Sequence, residues 1–218
     1  MKPLIVINFK TYPESSGKKA LLLARRIASV KSKKYDLALA PPLLELEHMC
    51  NTVNLKVFAQ HVDAQTPGAH TGQITAQDVR KLGARGAILN HSERKLPFLM
   101  LERTVKECRK DKLITVVCAA SLKEAKKVAR LQPDYIAYEP PELIGGETSV
   151  TSAEPDIIAK TVRSVRRRSP HTKLLVGAGV QTREDVITAL KLGASGVLLA
   201  HAVVKAKDPK KFLREMLK

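Results

Sequence analysis

Eight short runs of aliphatic and β-branched residues punctuate the 218-residue chain, at 4–8, 36–40, 56–61, 86–90, 113–118, 134–139, 173–177 and 196–200. Polar and apolar positions do not alternate strictly within them. That pattern predicts strands covered on both faces, as in a parallel sheet. Between the runs, apolar residues recur at helical spacing over 15–30, 43–51, 76–82, 96–110, 122–131, 154–168, 183–191 and 209–217. Ser121 with Glu124 three residues on reads as a capping box. Thr75 with Asp78, and Thr182 with Asp185, place an acceptor and a carboxylate at the positive end of a helix. Gly83 and Gly193 stand where a left-handed residue stops a helix. They belong to two similar segments, 81–90 and 191–200, which share Lys, Leu, Gly, Ala, Gly and Leu at matching positions. The same joint of helix end, glycine stop and strand is therefore used twice.

Eight β/α alternations without a linker or a shift in composition predict one domain over 1–218, an α/β fold with a parallel sheet. A (β/α)8 barrel fits, at about 27 residues per unit and close to the short end for that architecture. An open doubly wound sheet fits the alternation as well.

Composition narrows the function classes. Lys and Arg number 38 against 21 Asp and Glu, a net charge of +17 that suits an anionic partner such as a phosphorylated metabolite or nucleic acid. The basic residues form short clusters, as at 31–34, 166–168 and 205–211, mostly on the polar sides of predicted helices, where they are solvated. Four Phe, four Tyr and no Trp leave little surface for stacking bases, so nucleic acid is the weaker partner. No apolar run is long enough to cross a bilayer, and no signal peptide opens the chain. Cys50, Cys108 and Cys118 are odd in number and follow no pairing motif, which argues against a disulfide scaffold or a zinc site. A cytoplasmic location is expected.

In a barrel of this kind the chemistry lies just beyond the C-terminal ends of the strands. Those positions hold Asn8-Phe-Lys10, His91-Ser-Glu-Arg94, Glu139-Pro-Pro-Glu-Leu-Ile-Gly-Gly146, Gly177-Ala-Gly-Val180 and Ala200-His-Ala202. A lysine, a histidine and a glutamate at one mouth supply a fixed positive charge, a hydrogen-bond donor and a base, the set that proton abstraction beside a carbonyl requires. Singly each has a blander reading: Glu139 as a solvated loop carboxylate, His91 as a structural hydrogen-bonder, Lys10 as a rim lysine, and Gly177-Ala-Gly179 as a simple chain reversal. A helix starting at Thr182 makes that glycine turn a candidate anion site.

Taken together, Asn8-Phe-Lys10, Asn90-His-Ser-Glu-Arg94, Tyr138-Glu-Pro-Pro-Glu-Leu-Ile-Gly145 and Gly177-Ala-Gly-Val180 resemble the triosephosphate isomerase family, in its short archaeal branch. Gln60-His-Val-Asp63, Gly68-Ala-His-Thr-Gly72 and residues 203–209 extend the resemblance to nearly the whole chain. It implies interconversion of dihydroxyacetone phosphate and D-glyceraldehyde 3-phosphate through an enediol(ate), with no metal or organic cofactor. By position Glu139 matches the base, His91 the electrophile and Lys10 the supporting cation, with Asn8 beside it and Glu93 pairing with Lys10. Ile144 and Gly145 match the part of a closing lid nearest the substrate, while Gly179, Ala200 and His201 match the phosphate-binding backbone. Thr71 matches a residue that enters a neighbouring subunit, which implies a homodimer or homotetramer. One departure stands out: Ala200-His201-Ala202 replaces the Ala-Ser-Gly usual at the end of the last strand. Either His201 adds a donor that makes substrate affinity pH-dependent, or its ring crowds the pocket and weakens binding. The alternatives are another phosphate-binding barrel, or a repurposed isomerase-like barrel that binds phosphorylated ligands or polyanions such as RNA.

Overall fold

The strands hydrogen-bond in chain order and the last closes on the first, giving an eight-stranded barrel. The computed structural model describes residues 2–143, 149–153 and 155–218. The strands are β1 (Leu4–Asn8), β2 (Asp36–Ala40), β3 (Lys56–Ala59), β4 (Gly86–Leu89), β5 (Ile114–Ala119), β6 (Tyr135–Tyr138), β7 (Lys173–Val176) and β8 (Gly196–Leu199). Every pairing is parallel, including β1 with β8. The open doubly wound alternative is thereby corrected: an open sheet would leave β1 and β8 as edges.

Helices run between the strands: α1 (Gly17–Ala28), α2 (Leu46–Thr52), α3 (Ala76–Lys81), α4 (Phe98–Lys110), α5 (Leu122–Val128), α6 (Val150–Ala153), α7 (Pro155–Arg168), α8 (Arg183–Lys191), α9 (His201–Val204) and α10 (Pro209–Met216). The first predicted helix is shorter than its pattern, because Pro13–Ser15 turns as 3-10 and the chain is extended at Ser16. Leu43–Glu45 and Ala129–Leu131 are likewise 3-10 turns at the ends of α2 and α5. The fourth helix starts at Phe98 after Pro97, and Glu154 lies outside the described residues.

Residues alternate across the barrel wall. Leu4, Val6, Ala38, Ala40, Phe58, Ile88, Val116, Cys118, Ala137, Leu175 and Leu198 fill the interior. Their neighbours in sequence, among them Ile5, Ile7, Leu39, Val117, Ile136 and Val176, pack outward against the helices. In the repeated joints, Gly83 and Gly193 have φ of +102° and +94°. In each, the amide of the following alanine bonds back five residues (Ala84 to Val79, Ala194 to Ala189), a Schellman stop. The second glycine of each joint begins a strand where a side chain has no room. A Cβ on Gly196 would sit 1.9 Å from the Leu4 carbonyl oxygen, and one on Gly86 would sit 2.5 Å from that of Ile114.

Candidate active site

The wall's alternation, carried to the last residue of β1 and one step past the ends of β3, β6, β7 and β8, selects what faces the mouth. Asn8 follows inward Val6, Gln60 follows Phe58, Glu139 follows Ala137, Gly177 follows Leu175 and Ala200 follows Leu198. One cavity there is lined by Lys10, Tyr12, His91, Glu139, Gly177, Gly179, Val180, Gln181 and residues 198–202. It gathers the three predicted catalytic residues together with Gly179, Ala200 and His201.

Glu139 is 2% exposed, its amide held by the Ala119 carbonyl at 2.9 Å. Gly177 faces it, and a Cβ there would lie 2.5 Å from Glu139 Cγ, so the glycine makes space for the carboxylate. Among the described residues none hydrogen-bonds Glu139 Oε2. His91 Nε2 lies 3.8 Å from that oxygen. Burial pushes the Glu139 carboxyl above its ordinary value, although His91, a hydrogen bond with Cys118 and Lys10 pull the other way. The result is a carboxylate that is poorly solvated and more basic than one in water, with a free oxygen aimed into the cavity.

His91 is oriented from behind. Its Nδ1 accepts the Glu93 amide at 3.2 Å, at the start of a 3-10 turn over Ser92–Arg94. An acceptor Nδ1 leaves the proton of a neutral ring on Nε2, facing Glu139. The preceding Asn90 is left-handed, with φ of +58°. Its Nδ2 donates to the Cys118 carbonyl and to Glu124 Oε1, both at 2.9 Å, while its Oδ1 accepts the Leu96 amide at 3.0 Å. Glu124 also takes Lys95 Nζ at 2.8 Å and the Ala120 amide at 2.7 Å. Burial alone would raise the Glu124 carboxyl, but Lys95, the Ala120 amide and Asn90 hold it below its ordinary value. The expected Ser121–Glu124 box is therefore half formed: Ser121 accepts the Glu124 amide, and the carboxylate serves the His91 loop instead.

Lys10 is left-handed too, with φ of +48°. Non-glycine residues hold that conformation at a cost of about 1–3 kcal/mol. Its amide donates to Asn8 Oδ1 at 2.9 Å, and Gln60 Nε2 lies 3.1 Å from the same oxygen and 2.9 Å from the Ala40 carbonyl. Lys10 Nζ meets Glu93 Oε1 at 2.6 Å, the pairing that the resemblance implies. Asn8 thus acts on the Lys10 backbone and lines an adjoining cavity with Gln60 and Glu93. Gln60 was not among the expected site residues; the inward register of β3 is the signal that points to it. Thr71 is exposed and lines neither cavity. Ile144 and Gly145 lie outside the described residues.

The family profile described as triosephosphate isomerase matches residues 3–216. The triosephosphate isomerase of Methanocaldococcus jannaschii is 43% identical, covering 99% of both chains. That of Methanoculleus marisnigri is 44% identical over 99% of this chain and 97% of its own. The chain belongs to the triosephosphate isomerase family. Another such isomerase, from Archaeoglobus fulgidus, is 41% identical over 98% of this chain and 96% of its own. The likeness to these isomerases runs through all eight strands, and so through every loop that lines the cavity. No group of three or more metal-ligating side chains occurs among the described residues, and no helix there is long and apolar enough to cross a membrane.

Proposed function

We propose that this protein interconverts dihydroxyacetone phosphate and D-glyceraldehyde 3-phosphate, with Glu139 as the base, His91 as the electrophile and Lys10 as the supporting cation. The observation that carries this reading is the buried Glu139 carboxylate, its Oε2 unbonded among the described residues and 3.8 Å from His91 Nε2. Glu139 Oε2 takes the proton from the carbon beside the carbonyl. The electron pair moves onto the carbonyl oxygen, where the Nε2–H of His91 donates a hydrogen bond to the growing charge. The Lys10 ammonium balances that charge and the phosphate. Protonated Glu139 then returns the proton to the neighbouring carbon, while His91 moves a proton between the two oxygens. Gly179, Ala200 and His201, which line the same cavity, receive the phosphate.

The reading includes a cytoplasmic location, supported by three free cysteines, and assembly as a homodimer or homotetramer. Replacing Glu139 by Gln tests the central assignment. Turnover should fall by about 10³-fold, the middle of the range for a lost acid–base group, while the affinity for inorganic phosphate stays within about twofold. Parallel loss of binding and rate would reject Glu139 as the base.

A further inference from the structure

One residue of the proposed phosphate site carries a side chain whose own contribution the mechanism above does not specify. His201 opens α9, and its exposed imidazole lines the same cavity as Glu139, His91 and Lys10. It stands edge-on to Tyr12, with ring centroids 6.3 Å apart and planes at 75°. One turn further on, Lys205 places its ammonium 4.6 Å from the centre of that same Tyr12 ring. Residues four apart share a helix face, so His201 and Lys205 clasp one aromatic ring between them. Tyr12 packs against the outer core two residues beyond left-handed Lys10, which fixes the ring in place. The cation–π contact keeps the Lys205 ammonium at the rim instead of in open solvent.

Charge says what this end of the cavity can hold. Among its described lining residues Glu139 is the only acid and Lys10 the only lysine, so a dianionic group is disfavoured against the carboxylate and favoured where His201 and the backbone of 200–202 line the cavity. There a groove lined by His201, Lys205, Lys207 and Lys211 continues outward, where the three lysines outnumber the two acids that share the lining, Asp208 and Glu215. We propose that His201 is a specificity-determining residue that grips the substrate's phosphate through a ring N–H, with Tyr12 and Lys205 as positioning residues. The phosphate is then held by a side chain as well as by backbone amides. This rests on the isomerase reading for the identity of the substrate, but not for the existence of the anion site.

Titration of inorganic phosphate, followed by calorimetry, separates the two. His201→Ser should weaken phosphate binding about tenfold, within the usual range for a hydrogen bond to a charged group. The KM for glyceraldehyde 3-phosphate should rise by a similar factor, with a smaller change in kcat. His201→Gln, which keeps an N–H donor of similar reach, should recover most of the affinity. Tyr12→Leu, which leaves the imidazole unclasped, should cost about threefold. Phosphate bound by the Ser variant as tightly as by the unaltered protein, or more tightly, would overturn the proposal, because the imidazole would then be a bystander or an obstruction. Absence of turnover in the unaltered protein would sink the isomerase reading and leave the phosphate titration still decisive for His201.

Discussion

In the proposed mechanism, burial makes Glu139 a stronger base than a solvated carboxylate. There its charged form accepts the substrate proton, and desolvation raises its carboxyl above the ordinary carboxylate value. Activity is therefore lost as pH falls through that raised value. The acid limb of kcat/KM should lie above the usual glutamate value of about 4.3. A pH–rate profile whose acid limb reaches 4.3 or lower would contradict the environment described for this residue. The sequence reveals the side of the wall such residues face, because Asn8, Gln60, Glu139 and Ala200 each continue an inward series set by a β-strand. It does not reveal contacts across strands. The hydrogen bond between Cys118 and Glu139 and the link from Asn90 to Glu124 join residues on different β/α units, and nothing in the local pattern marks them.

At the scale of elements, helix stops show how local chemistry and tertiary demand share the work. Gly83 and Gly193 were recognisable because glycine is the residue that adopts positive φ freely. Lys112 does the same task after α4 without that advantage: its φ is +56°, and the amide after it bonds from Leu113 to the Cys108 carbonyl at 2.9 Å. Lys112→Gly should relieve the strain and stabilise the protein by about 0.5–1 kcal/mol, net of the added freedom of the unfolded chain. For a chain of this size the melting temperature should rise by about 1–4 °C, and a fall in a thermal melt would refute the account. Helix starts were legible with one displacement. The complete capping box is at Thr182 and Asp185, while Glu124, equally well placed by spacing, is drawn away by Lys95 and Asn90. A capping pattern shows that a carboxylate is available; competing partners decide where it goes. The irregular beginnings of α1 and α2 escaped the pattern, because a 3-10 turn carries apolar residues at nearly the same spacing as an α-helix.

For the whole molecule, the side of the site around Glu93 and Leu43 is open. Glu93, which holds Lys10, is 58% exposed, and Leu43 and Leu44 are 41% and 94% exposed nearby in sequence to β2. Covering this face is what the proposed assembly would do, with Thr71 of a neighbouring copy brought against it. Sedimentation should then give a mass of at least two chains. Thr71→Arg should shift the protein toward monomer and lower kcat by about 10–100-fold through misplaced catalytic groups. A fully active monomer would exclude that role for Thr71. Within one chain, the repeated joint has a geometric consequence. The match between its two copies continues to His91 and His201, the residues directly after 81–90 and 191–200. In a ring of eight strands in chain order, β4 and β8 stand diametrically opposite. A duplicated motif thus plants an imidazole at each end of one diameter. With the roles proposed for them, one for the reacting oxygen and one for the phosphate, the barrel's width becomes a gauge of substrate length: a phosphate ester one carbon too short or too long would reach only one of the two posts.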